Sequence, residues 1–297
     1  MNKGIYYASF TAFLWGTLAI AIKVSLNKLP PLTVTWFRFT MAFILLLFYF
    51  LLFYRHKLKI IIKPPLFAII AGICLGLNYI GYINGINLTT PSIGQIFIQT
   101  GPVLLAIAGF VLFKEKASIR QVCGLVVVVT GLFIFYNEQI FLFSDSLEAY
   151  RVGVLWILFG AAAWAIYAVF QKKAVKNHNP MQLNLIIFGL PAFFLSPFVA
   201  YDKFADLSQY DWMLLVFLGL NTLGAYGSFA YALKYLEANK ISVIITLNPI
   251  ITFIIMALLS YNMVTWIQPE NYSLITIIGA VAVVIGVILT VIKKEKI

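Results

Sequence analysis

The segment Ala12-Phe13-Leu14-Trp15-Gly16-Thr17-Leu18-Ala19-Ile20-Ala21-Ile22-Lys23 returns, with tryptophan and lysine in register, as Ala161-Ala162-Ala163-Trp164-Ala165-Ile166-Tyr167-Ala168-Val169-Phe170-Gln171-Lys172. The spacing is 149 residues, and Pro31 and Pro180 keep it. Further along, Gly76 and Leu88 match Gly224 and Leu236. Pro102 matches Pro249 after a one-residue gap, and Gly124 and Gly131 match Gly279 and Gly286. Each match alone is weak. Their common order is the signature of an internal duplication.

Both copies are apolar, as is most of the chain. Of 297 residues, 62% are hydrophobic and only 10% charged, against roughly half and a quarter in soluble domains. A surface that apolar must be covered by lipid. A hydrocarbon core about 30 Å thick needs roughly 20 apolar residues per helix. Stretches that qualify lie near 4–23, 33–54, 66–86, 92–113, 119–136, 152–171, 182–200, 212–233, 241–261 and 273–292. No alternating-strand pattern suggests a β-barrel. The Met1-Asn2-Lys3 start resembles a signal peptide, but its apolar run is long enough to span and is read as a retained first helix. The expectation is an all-α integral membrane protein of ten transmembrane helices. Its halves are 1–138 and 152–297, joined by an external linker at 139–151. Five spans per half turn the second copy over, giving an inverted repeat.

Orientation follows from Lys and Arg. One set of connections holds Lys3, Arg55, Lys57, Lys59, Lys63, Lys114, Lys116, Arg120, Lys172, Lys173, Lys176, Lys234, Lys240, Lys293, Lys294 and Lys296. The other holds Lys28, Arg151 and Lys203, with acids such as Asp145, Glu148, Asp202, Asp206 and Glu270. Both termini are therefore expected in the cytoplasm. The net charge of +11 comes in these clusters between spans and is no nucleic-acid face. Cys74 and Cys123 sit in separate apolar runs and form neither a disulfide framework nor a metal motif.

Two spans carry a proline near the middle, at Gly101-Pro102 and Asn248-Pro249. A proline lacks its N–H and crowds the carbonyl four residues back, here Ile98 and Ile245. Such carbonyls need partners in hydrocarbon, and Gln95, Gln99, Thr100, Thr246 and Asn248 stand on the same turns. Matched broken helices point to a transporter's binding site; the plain alternative is a healed kink. Asn78 and Tyr82 share a helix face, with Tyr79 beside them, and Asn221 and Tyr226 stand on the matching span. Gly72 with Gly76, and Gly81 with Gly85, allow close helix approach. Trp15 and Trp164 lie too deep for an interfacial belt. The expected cavity is therefore lined by Trp15, Asn78, Tyr79, Tyr82, Gln99, Trp164, Asn221, Tyr226 and Asn248, and shaped by Pro102 and Pro249. Arg38 lies inside the second span, where an arginine marks function by default. It is also close enough to the outer end to reach the interface, so both readings stand. Lys23 is read as reaching the interface.

No Asp or Glu falls mid-span, and Glu115 and Glu237 sit at cytoplasmic ends. His56 and His178 are in loops. Coupling through a buried carboxylate is not expected, and a neutral-polar, aromatic cavity suits zwitterionic or neutral solutes. No P-loop, HExxH, GxSxG or dinucleotide fingerprint occurs, so no enzyme, cofactor or metal is expected.

These features resemble the drug/metabolite transporter superfamily and its ten-helix EamA-type members. The resemblance rests on Trp15-Gly16 and its echo at Trp164, Arg38-Phe39, Ala232-Leu233-Lys234-Tyr235-Leu236-Glu237-Ala238, the Pro102 and Pro249 helices, and Phe113-Lys114-Glu115-Lys116 followed by Gln121 and Gly124. The second half departs from the pattern. Tyr261-Asn262 stands where Glu115 would have its counterpart, and an insertion runs through Gln268-Pro269-Glu270. The resemblance implies a secondary transporter of the cell membrane, moving amino acids or related metabolites, often outward, by alternating access. A broad drug exporter is the alternative; a lipid-acting enzyme or a scaffold lacks supporting motifs. The partners expected are a small solute and the bilayer, with the chain as monomer or homodimer.

Overall fold

A computed structural model describes residues 3–115, 118–141, 147–269 and 273–291. Lys116, Asp145, Glu270, Lys293, Lys294, Lys296 and the middle of the 139–151 linker lie outside them. The described residues are helical without a strand. In chain order the helices are α1 (Lys3–Ser25), α2 (Pro31–Phe53), the single turn α3 (Lys59–Ile62), α4 (Leu66–Leu88), α5 (Pro91–Phe97), α6 (Thr100–Val111) and α7 (Ile119–Phe141). The second half follows with α8 (Leu147–Ala174), α9 (Pro180–Leu195), α10 (Gln209–Tyr235), α11 (Ala238–Ile245), α12 (Asn248–Tyr261) and α13 (Leu274–Val291). Taking α5 with α6, and α11 with α12, eight spans are long and apolar enough to cross a membrane. Parts of α7 and α13 form two shorter apolar helices.

Local chemistry sets the starts. Pro31, Pro91 and Pro180 occupy first helical turns, where a missing N–H costs nothing. The Asn179 side chain accepts from Met181 N at 2.9 Å. Ser208 and Asp211 form a reciprocal capping box that starts α10, leaving few orphan donors there.

Packing carries the duplication into three dimensions. α4 lies along α8 and α1 along α10; α8 also packs on α6, as α1 does on α12. α2 meets α9, and α7 meets α13. Exchanging the halves leaves this pairing unchanged. The matched glycines meet reciprocally: a Cβ on Gly131 would stand 2.8 Å from Gly279 O, and one on Gly286 2.7 Å from Gly124 O. At the α4–α8 crossing, a Cβ on Gly81 would lie 2.6 Å from Trp156 O and 2.8 Å from Gly160 N. Only glycine lets these backbones approach so closely. Gly72 and Gly76 instead face α9, at Ile187 and Pro191. The outer surface is apolar, with Phe13, Phe48, Leu52, Leu155 and Phe193 exposed, as lipid contact requires.

Candidate functional site

The two proline helices are broken. Residues 98–99 and 246–247 form turns that separate α5 from α6 and α11 from α12. The breaks sit just before the prolines. At the first, Gly101 N–H bonds Ile98 O at 2.9 Å, so the carbonyl that Pro102 cannot satisfy finds a nearer donor. Side chains knit the breaks together. Gln99 Nε2 donates to Asn248 Oδ1 at 2.6 Å and to Gln95 O at 3.0 Å. Gln95 Nε2 donates to Trp15 O at 2.7 Å, and the Thr252 hydroxyl to Gly16 O at 2.6 Å. Thus α1 is tied to both breaks through its own carbonyls.

Against this junction lies a cavity of about 50 Å³, room for about three to five waters on a scale of 10–15 Å³ each. Of the expected lining, it brings together Trp15, Asn78, Tyr79, Tyr82, Gln99, Trp164, Tyr226 and Asn248, with Pro102, expected to shape it, also at the wall. Trp15 and Trp164 meet edge to face with ring centroids 5.8 Å apart, and Trp15 stands 5.2 Å from Tyr226. Asn78 reaches across to Gly160 O at 2.9 Å.

One expected lining residue stands elsewhere. Asn221 is not in the lining: its amide donates to Leu14 O at 2.7 Å, a tie between α10 and α1. Pro249, expected to shape the cavity rather than line it, stands in the first turn of α12 next to Asn248. Lys23, near the end of α1, donates its ammonium to the carbonyls of Ile86, Asn87 and Thr89 at 3.0, 3.2 and 2.7 Å. It thereby satisfies the orphan carbonyls at the α4 C-terminus. Gln95, Leu18 and Ile98 also line the cavity. Gln95 was findable, because it lies one helical turn before Gln99.

Arg38, for which two placements stood open, is buried at 1% exposure and lines the cavity. Its Nε donates to Thr222 Oγ1 at 3.1 Å and an Nη to the Tyr79 hydroxyl at 3.2 Å. The guanidinium also lies 4.4 Å from the Tyr79 ring centroid, within cation–π range.

At the other end of α8, Lys172 is paired with Glu115 at 3.2 Å and donates to Leu236 O at 3.1 Å. Glu115 also accepts from Ala238 N at 2.9 Å and Asn239 N at 3.1 Å. One carboxylate therefore joins the end of α6, the end of α8 and the start of α11. Lys172 is the repeat match of Lys23, so matched lysines close the ends of matched helices. Among the described residues no cluster of His, Cys, Asp and Glu could hold a metal ion.

Comparison with known proteins gives a consistent picture. The EamA-like transporter family matches residues 2–137 and 151–292. An uncharacterized transporter of Haemophilus influenzae is 32% identical over 295 residues, covering 98% of this chain and 95% of that protein. The uncharacterized inner membrane transporter YhbE of Escherichia coli K12 is 32% identical over 286 residues, covering 95% of this chain and 89% of its own. A solved crystal structure shares the fold, with a TM-score of 0.74 and 18% identity over 98% of both chains.

Proposed function

The chain belongs to the EamA-like transporter family, and from that premise we propose that it is a secondary carrier moving amino acids or related small metabolites outward across the cell membrane. It is a multi-pass membrane protein. The proposed frame is ten spans with both termini in the cytoplasm, split into inverted halves at 1–138 and 152–297 around the 139–151 linker. Alternating access then means rocking one half against the other.

The observation that carries this reading is the Gln99–Asn248 bond. It joins the two broken helices, one from each half, at the wall of a buried cavity. Broken helices are costly in lipid and are kept where their polar backbone borders a site. The Lys172–Glu115 pair, which crosses between the halves, is the proposed gate, at the end facing the cytoplasm. A small cavity with four amide side chains suits a compact polar solute better than the varied bulky cations of a broad drug exporter.

The test is flux in proteoliposomes with Gln99→Ala and Asn248→Ala. Both proteins should insert and elute as the parent does, with flux of an amino-acid substrate at least tenfold lower. Parental flux in both variants would remove the junction from the transport path.

A further inference from the structure

Among the described residues the cavity wall holds one full charge, on Arg38, with no ion-pair partner. Arg38 is held by two hydroxyls, those of Thr222 and Tyr79, and by the Tyr79 ring. Among the described residues no carboxylate forms an ion pair with it. The acids lie toward helix ends and loops; Glu115 is already engaged by Lys172 and two backbone N–H groups. A guanidinium carries five N–H donors in a planar fork, and the hydroxyls engage only some of them. Burying such a group without a counter-charge is expensive, the more so at membrane depth. A charge kept under that penalty, beside a cavity, points to a ligand that supplies the missing anion.

The rest of the wall narrows the ligand. Trp15, Trp164, Tyr82 and Tyr226 offer ring faces and edges, while Gln99 Oε1 is a buried acceptor with no partner. No side-chain carboxylate lines the cavity to hold an amine by charge. We infer, on the transport reading above, that the solute is a small organic carboxylate whose carboxylate group docks on Arg38. The guanidinium fork matches a carboxylate with two parallel N–H···O bonds. A solute amine is accommodated by Gln99 Oε1 and the aromatic walls but is not required. The recognised feature is thus the acid group, common to amino acids and simple organic acids.

The experiment uses the full chain in proteoliposomes and two matched sets of solutes. The first is leucine, 4-methylpentanoate, isopentylamine and leucinamide; the second is alanine, propionate, ethylamine and alaninamide. Thermal stabilisation and flux are followed for each. The acids, with or without the amine, should stabilise and be transported. The amines and amides should show at least tenfold less flux. Arg38→Gln should lose at least tenfold in flux of the acids, and Arg38→Lys, which keeps the charge but not the fork, should retain part of it. Equal flux of acid and amide, or parental acid flux in a correctly inserted Arg38→Gln protein, overturns the assignment. Should Arg38→Gln fail to insert, the solute sets on the parent decide alone. Flux of the amines or amides without the acids leaves the carrier standing and removes the anion site. No flux of any solute in either set removes the anion site and the amino-acid reading together.

Discussion

Glu115→Gln tests whether the Lys172 end is a gate. The glutamine is isosteric, but it keeps one acceptor oxygen in place of a charged pair. In the parent, Glu115 accepts from two backbone N–H groups and from Lys172 at 2.9, 3.1 and 3.2 Å. An amide oxygen at the Oε1 position still accepts from Ala238 N and Lys172, so the substitution orphans the Asn239 N–H and takes the negative charge away from the Lys172 ammonium. Side-chain exposures of 10% and 8% for the pair put it outside the surface class, whose members contribute little. They also leave it short of full burial, where breaking a pair costs 3–5 kcal/mol. A hydrogen bond to a charged group contributes about 1.5–3 kcal/mol, so the closed end should lose about 2–3 kcal/mol. At 1.4 kcal/mol per factor of ten, the open-to-closed ratio at that end rises about 30- to 140-fold.

The assay is alkylation of Leu18→Cys, which places a thiol in the cavity wall, in a Cys74→Ser, Cys123→Ser background. An impermeant maleimide is added to vesicles of either orientation. While the open state is scarce, the labelling rate from the latch side follows its population and should rise at least 30-fold with Glu115→Gln. Labelling from the opposite side should not rise. Unchanged rates from both sides would refute the gate. Equal acceleration from both sides would also refute it, because it would mean that the bundle loosens generally.

Two further substitutions probe packing. Gly81→Leu drives a side chain into the α4–α8 crossing, where even a Cβ lies 2.6 Å from Trp156 O; the detergent-solubilised melting temperature should fall, as overpacking costs about 1–3 kcal/mol, and an unchanged melt would contradict that crossing. Trp15→Ala removes a ring packed on Trp164, Tyr226 and Phe229, costing about 3–5 kcal/mol; flux of the smallest solutes should fall while bulkier ones gain access, and an unaltered size preference would take Trp15 out of the cavity wall.

The sequence made the spans legible because hydrocarbon permits few spanning structures, and 20-residue apolar runs leave little choice. The broken helices were legible because proline acts locally, through a missing N–H at a known offset. Side-chain aim was harder. Asn221 and Thr222 are adjacent on α10, yet one bonds Leu14 O on α1 and the other receives Arg38 from α2. A helix turns about 100° per residue, from 3.6 residues per turn, so neighbours face different partners and only tertiary packing says which. Arg38 was undecided for the same reason. Its distance from the outer end permitted an outward reach, and what fixes it inward is a hydroxyl from α10 and a phenol from α4, both remote in sequence.

The counterpart of Glu115 was misplaced by a short register error that backbone geometry corrects. Lys114 and Met263 are the non-glycine residues with positive φ among those described, both at 51°, each shortly after a broken helix. They align the halves at a spacing of 149 and make Val264, in place of Tyr261-Asn262, the match of Glu115. Val264 packs in an apolar cluster with Ile20, Met256 and Ile267, so the duplicated scaffold has unequal ends. At α5, Thr90 caps the helix itself, accepting from Ile93 N at 3.3 Å. At α11, the side chain of the cap residue Glu237 makes no bond to the helix N–H groups, and Glu115 reaches across from the other half to accept Ala238 N and Asn239 N instead. One helix is therefore capped within its own segment. The other is capped only while the halves are together at that end. Separation there breaks an ion pair and exposes backbone donors in a single step, whereas the Lys23–carbonyl bonds join α1 to the end of α4 within one half and survive it. On the proposed alternating-access reading, the Glu115 end therefore has a cross-half tie that the Lys23 contacts do not reproduce, which would give two otherwise equivalent conformations different energies.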